Sequence, residues 1–475
     1  MSLYDAPAMK VTVLTSVISA VLTGCMVGPS YKKPELSLPK QFDQAPVGQE
    51  TLNSENALWS AFNDPALNAL IARAQQENKT VVQSTARLQE TRALRGLYFY
   101  SWFPTITASA SEEKSRASNR DPFIPLGTGT KDTYRAGFDA SWEIDLFGGT
   151  RQQKNAITSE SMASAYQFKG AQLSVSAEVA QAYFALRGAQ QRRVIQKQNI
   201  ENLQQTERVL AARLKEGRGS ALEVAQNRTV ILQVEAQLPI IDAEIVRQEQ
   251  RLSVLTAQSV ATLRETLQLS KSMPTLPALQ SIGTPEQWVR RRPDILAAEQ
   301  QFAAANARVG EKVSDYFPKL NLFGSFGWTA QGFGDLGNSS AERWSYGPSL
   351  SWNFLNVGRV RQNVKAAEAR ADAVAAAYQQ TVLLALEDTE NALAQYRASN
   401  QSVQQLQQAA EQSRKARDLA RLRYETGASD FLTLLDAERT LLAVEDAGVQ
   451  AAIAQASSLA LVYKALGGDF VEAVR

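Results

Sequence analysis

The sequence predicts a mainly α-helical chain that carries four short amphipathic β-strands and is built twice over. Three observations predict it. Two long runs, from about 150 to 215 and from about 360 to 426, contain no proline and are dominated by Ala, Gln, Glu, Arg and Leu. Four other segments alternate apolar and polar residues. A set of motifs also recurs in the same order after about 210 residues.

Composition narrows the class before any element is placed. The 475 residues include one Cys and no His. No intrachain disulfide or CxxC site can form, and the commonest general base and transition-metal ligand is missing. No metal site is expected. Basic and acidic residues number 50 and 48, a net charge of +2, so no field collects nucleic acid. No stretch reaches the ~20 continuous apolar residues of a spanning helix. A membrane crossing by this chain would use strands.

The N-terminus reads as an export signal. Lys10 precedes an apolar run at 11–22, within the about 7–15 residues of a signal h-region. Asp5 is out of place in an n-region, so Met9-Lys10 makes the better start and residues 1–8 read as extra leader. Leu22-Thr23-Gly24-Cys25 closes the run as a bacterial lipobox does: small residues, then a Cys whose thiol takes a diacylglycerol before cleavage and N-acylation. Acyl chains contributing ~0.8 kcal/mol per buried methylene make a stable anchor. A Cys incidental to an ordinary signal peptide is the alternative. The signal peptide is thus expected at 1–24 and a lipidated extension at 25–60.

The repeat is explicit. "YFYSWFPTITASAS" (98–111) aligns with "VSDYFPKLNLFGS" (313–325), Phe103 falling on Phe317. "SWEIDLFGGTRQQ" (141–153) aligns with "SWNFLNVGRVRQN" (351–363), and "RLKEGRGSALEVAQNRTVILQVE" (213–235) with "RYETGASDFLTLLDAERTLLAVE" (423–445). The first copy is expected at 61–270, a linker at 271–284 and the second copy at 285–475.

Each copy holds one pair of alternating segments. Tyr134, Ala136, Phe138, Ala140, Trp142 and Ile144 alternate with polar residues or Gly, as do Trp344, Tyr346, Leu350, Trp352 and Phe354. Leu320, Leu322, Phe326 and Trp328, and Ile106, Ala108 and Ala110, keep the rhythm less strictly. A half-buried soluble sheet gives the same pattern. The segments also have about the 9–11 residues of a tilted membrane strand, and Tyr134, Trp142, Trp328, Trp344, Tyr346 and Trp352 are placed like an aromatic girdle. Four strands cannot close a barrel, and open edges cannot sit in lipid. Either the sheet is soluble or several chains pool their strands; three would give twelve.

The two long runs would be helices of ~100 Å at ~1.5 Å per residue. In the second, Val364, Ala367, Ala371, Val374, Tyr378, Val382, Ala385, Thr389, Leu393 and Tyr396 form a seam spaced three and four apart, a coiled-coil pattern with an extra four-step. Gly217 and Gly427 end the runs, each followed by a turn and a fresh apolar helix.

Taken together these residues resemble the TolC-like outer membrane factor family, in its lipoprotein (NodT-type) branch serving tripartite multidrug efflux. The motifs that carry the resemblance are "TGCMVGPSYKKPE" at 23–35, "LWSAFNDPALNALIARAQQEN" (58–78), "SWEIDLFGGTR" (141–151), "RRRPDILAAEQQ" (290–301), "RYETGASDFLTLLDAERTLL" (423–442) and "VYKALGGDF" (462–470). The resemblance implies a homotrimer whose twelve-stranded β-barrel is continued by an α-helical barrel with a mixed equatorial belt. It implies a lipid-anchored location in the bacterial outer membrane, extending into the periplasm, and Met26 after the Cys fits onward export there. It implies a passive exit duct, not an enzyme, with no cofactor beyond the lipid on Cys25. The implied partners are a periplasmic adaptor and an inner-membrane resistance-nodulation-division transporter. The tips at Gly217 and Gly427 would face the adaptor. Leu432, Asp436 and Arg439, on one helix face at i, i+4 and i+7, would form the periplasmic gate. In the first copy Gln226 and Thr229 replace the two charges, and a plain surface ion pair is the alternative. Alternatives for the whole chain are a lipid-anchored periplasmic coiled-coil scaffold or a duct for type I protein secretion.

Overall fold

The computed structural model describes residues 26–34, 38–43, 59–116, 118, 120, 129–268, 273–277, 279 and 284–468. The expected signal peptide at 1–24, Cys25 and parts of the expected linker at 271–284 lie outside the described residues. The chain separates into two compact units, and each draws on both sequence copies. One takes in the stretch up to Pro34, Gln89–Ala163 and Ala298–Tyr378; the other takes in Glu35–Leu88, Ser164–Ala297 and the chain from Gln379.

The first unit is organised by one sheet. Its strands are β1 (Thr105–Arg116), β2 (Thr130–Ile144), β3 (Lys319–Ala330) and β4 (Glu342–Ser351). They pair antiparallel in the order β1-β2-β3-β4, so β1 and β4 are each paired on one side only. The register decides what the sheet presents. Phe138 stands between Ala108 and Phe326, and Phe326 beside Trp344. Because successive side chains alternate faces, this pairing gathers Ile106, Phe138, Trp142, Phe326, Trp344 and Leu350 on one side. Ser109, Arg135, Asp139, Asn321, Ser325 and Ser349 fall on the other. A slip of one residue would mix the two sets. Phe138, Trp344 and Leu350 are all more than half exposed, so nothing among the described residues covers the apolar face.

Strand β4 stops at Ser351, short of the alternation that continues through Trp352 and Phe354. Ser351 pairs with Lys319, and the next partner would be Pro318, which has no N–H to give the ladder. Trp352 instead donates its indole N–H to the Tyr316 carbonyl at 3.0 Å. β1 likewise starts immediately after Pro104.

Long helices lead away from the strands. α3 (Gly149–Lys215) begins under Asp145, whose carboxylate accepts from the Thr150 and Arg151 amides at 3.1 and 3.0 Å and pairs with the Arg151 guanidinium. The "EIDLFGGTR" motif is therefore a strand end, a capping carboxylate and a helix start in one stretch. α9 (Val357–Glu425) is its counterpart. All ten residues of its predicted seam are buried or half-buried. In this unit Ala305 and Val309 of α8 (Pro293–Ser314) pack on Ala371 of α9.

Among its described residues the second unit holds helices joined by short irregular stretches and no strand. It contains α1 (Pro65–Glu77), the start of α2 (Lys79–Tyr100), α4 (Ala221–Glu235), α5 (Leu238–Thr256), α6 (Val260–Leu267), α7 (Pro285–Val289) and α10 (Phe431–Ala465), with the remaining lengths of α3 and α9. Its main core joins Trp59, Phe62, Leu67 and Leu70 to Tyr183, Phe184 and Leu186 of α3 and Leu459 and Tyr463 of α10. Asp64 sits inside it. Its side chain caps α1 by accepting from the Ala66 and Leu67 amides at 2.9 and 3.0 Å, and it accepts the Tyr183 hydroxyl at 2.6 Å. Every polar atom in that arrangement is satisfied, which is the condition for burying it. Burial, and then the bond to Asp64, push the Tyr183 hydroxyl up to about 12.

Candidate functional site

Three features of the chain are candidates for function, and none resembles a catalytic centre. The sheet comes first. Tyr134, Trp328 and Trp344 stand near one end of the apolar face, and Trp142 near the other, with Trp352 just past the end of β4. Tyr346 pairs with Gly324, one row from Trp344 on the same face, and the two rings stack with centroids 5.8 Å apart. No helix among the described residues is long and apolar enough to cross a membrane.

The helix tips come second, and they are the same structure made twice. At the end of α3, the Gly217 amide donates to the Leu214 carbonyl and the Arg218 amide to Arg213 at 2.8 Å. At the end of α9, Gly427 donates to Tyr424 and Ala428 to Arg423 at 2.7 Å. Gly217 and Gly427 take φ of 72° and 76°, the left-handed region that closes a helix in this pattern. The following helices are capped by Ser220, in a reciprocal capping box with Glu223, and by Asp430, which accepts from the Thr433 amide. The Thr433 hydroxyl and amide hold the Asp430 carboxyl below its usual range. Beneath the tips Leu203, Leu210, Ile231, Tyr424, Phe431 and Leu435 share one core.

The predicted gate face comes third. Leu432, Asp436 and Arg439 are all exposed, Leu432 by 57%, along one side of α10. Among the described residues no ion pair joins Asp436 to Arg439. Their helix hides a residue that sequence reasoning passed over. Glu438 is buried, its Oε2 has no hydrogen-bond partner, and burial pushes its carboxyl up against the opposing pull of Arg421 and Arg417. The signal was legible: Leu434, Glu438 and Leu441 share the three-and-four spacing of the buried stripe. Among the described residues no group of three His, Cys, Asp or Glu is placed to hold a metal ion.

An uncovered apolar sheet face with two unpaired edges, on a chain made mostly of very long helices, defines a membrane protein whose strands cross the bilayer. The sequence profile of the outer membrane efflux protein family matches residues 70–258 and again residues 284–468, and the chain belongs to this family. It is 28% identical over 472 residues to the solvent efflux pump outer membrane protein SrpC of Pseudomonas putida, covering 97% of this chain and 99% of that one. It is 27% identical over 479 residues to the outer membrane protein OprJ of Pseudomonas aeruginosa, covering 98% and 97%. The solved structure of the outer-membrane channel OprN superposes with a TM-score of 0.87 at 35% identity, covering 94% of this chain and 99% of that one. The fold is that of the TolC-like channels, and the protein is an efflux channel of the outer membrane.

Proposed function

We propose that three copies of this chain form the exit duct of a tripartite pump. β4 of one copy pairs with β1 of the next, closing a twelve-stranded barrel, and the long helices continue it as an α-helical tunnel. The duct passes drugs, solvents and other small toxic compounds outward. They are handed on by an inner-membrane resistance-nodulation-division transporter through a periplasmic adaptor. The energy comes from the transporter, and this chain does no chemistry. The adaptor docks at the tips around Gly217 and Gly427, Leu432, Asp436 and Arg439 line the closed periplasmic end, and Cys25 carries the acyl anchor.

One observation carries the reading: the sheet has an uncovered apolar face and two edges paired on one side only. Lipid offers no partner for an open edge, so copies must supply it. Efflux of apolar compounds is supported by the likeness to the solvent efflux protein SrpC. Detergent-extracted protein should run as a heat-modifiable trimer and conduct in planar bilayers. A non-conducting rod would overturn the duct and favour a lipid-anchored scaffold.

A further inference from the structure

The two faces of the sheet are not equally regular. On the apolar side, charged residues occur at its margins, as at Glu112 and Glu342. On the polar side one residue breaks the rule. Reading the register across all four strands, every position on that side is Ser, Thr, Asn, Gly or charged, except Phe323.

Phe323 is paired with Ser141 on β2 and Gly347 on β4. Its ring lies over Gly347: a Cβ there would stand 3.6 and 3.7 Å from the ring atoms Cζ and Cε1. The ring remains 45% exposed. Around it on the same face stand Asn321, Ser325, Ser345 and Ser349, with the Ser325 and Ser345 hydroxyls bonded to each other at 2.9 Å. A scattered apolar side chain on an ordinary surface needs no explanation. This face is different, because the reading under Proposed function turns it into the wall of a water-filled lumen. Three-fold symmetry then sets three phenyl rings at one height.

We infer that Phe323 is a cargo contact, an aromatic foothold in the barrel lumen that selects planar, apolar molecules. This rests on the barrel reading above. A twelve-stranded barrel is wider than three phenyl rings can close, so the rings hold cargo briefly and do not block it. Ring–ring stacking has the strength for that, enough to lengthen a stay by roughly two- to tenfold. In a passive duct such a pause raises occupancy by apolar cargo at low concentration, while polar solutes pass unaffected.

The test is single-channel recording of the reconstituted trimer with the planar aromatic cation rhodamine 6G and, separately, glucosamine. Wild type should show brief current interruptions by the dye. Phe323→Ser should shorten them by roughly two- to tenfold, Phe323→Trp should keep or lengthen them, and glucosamine should behave alike in all three. Unchanged dye dwell times in Phe323→Ser would overturn the inference. So would equal loss with both probes accompanied by a less heat-stable trimer, which would make the ring a cover for Gly347 alone. A second measurement separates this from failure of the barrel reading. In lipid, Phe323→Cys should react with a charged, membrane-impermeant thiol reagent and Phe138→Cys should not. The reverse pattern would overturn both readings, whereas labelled Phe323→Cys with unchanged dwell times would overturn only this one.

Discussion

Gly217 and Gly427, 210 residues apart, adopt the same left-handed backbone conformation, at φ of 72° and 76°. Around each, the same two backbone hydrogen bonds close a long helix and turn the chain into the next one. The duplication read from the motifs is thus carried down to single dihedral angles.

The tips make the first prediction. A Cβ at Gly427 would meet open space, so a substitution there is strained by the backbone alone, at roughly 1–2 kcal/mol for a left-handed residue. Gly427→Leu should leave outer-membrane trimers intact while lowering drug efflux, because the turn that would meet the adaptor is reshaped. Cellular dye accumulation checks it, and unchanged efflux would remove docking from this tip.

Asp436 and Arg439 give the second. Neither is in an ion pair among the described residues, so both charges are available to neighbouring copies. Three carboxylates converging on an axis repel unless arginines offset them. Asp436→Ala with Arg439→Ala should raise single-channel conductance and admit vancomycin, without loss of trimer. A double mutant that conducts and excludes vancomycin like wild type would make this face ordinary helix surface.

Glu438 gives a pH dependence with a definite sign. Burial raises its carboxyl in the folded chain, while the unfolded value is about 4.3. Below that value both states hold the proton and burial costs nothing through ionisation. As pH rises above it the unfolded state gains by losing the proton, so this region loses stability until the folded carboxyl has titrated. Glu438→Gln should raise the melting temperature at pH 7 to 8, leave it unchanged near pH 4, and flatten the profile between. Melting curves across that range decide it; an unaltered slope would mean the carboxyl is solvated in the assembled protein.

Acylation of Cys25 is the fourth expectation, from the lipobox and the lack of any other thiol. Intact mass of membrane-extracted protein should exceed the polypeptide from Cys25 to Arg475 by a diacylglyceryl and a fatty acyl group. An unmodified N-terminus refutes it. Cys25→Ala should mislocalise much of the protein while preserving part of the efflux, since a closed barrel is itself an anchor.

Much of this was legible because helix rules are local. Proline-free composition and a seam at three-and-four spacing led to helices at 150–215 and 360–426, and the structure has Gly149–Lys215 and Val357–Glu425. Strand ends were harder, because β4 ends opposite Pro318, the residue just before β3, a fact of register that alternation within 344–354 does not contain. Phe323 was passed over for a related reason: alternation sets it opposite Leu320, Leu322, Phe326 and Trp328, and only the pairing shows that its neighbours on that face are polar or Gly. The copies also differ where periodicity is silent. In the first, Pro239 falls at the start of α5 and divides the helix after the tip in two; in the second, Val449 takes that place and α10 runs unbroken from Phe431 to Ala465.

The open edges of β1 and β4 also bear on heredity. If three chains must complete one another's sheet, the unit exposed to selection is the trimer, and a defective allele whose product still assembles is not masked by a good copy beside it. With equal expression and random assembly, about one trimer in eight would contain only sound subunits. A lesion that still allows edge pairing but blocks conduction, such as a collapsed gate, should therefore act dominantly. One that abolishes edge pairing should be recessive, because its product never enters a trimer.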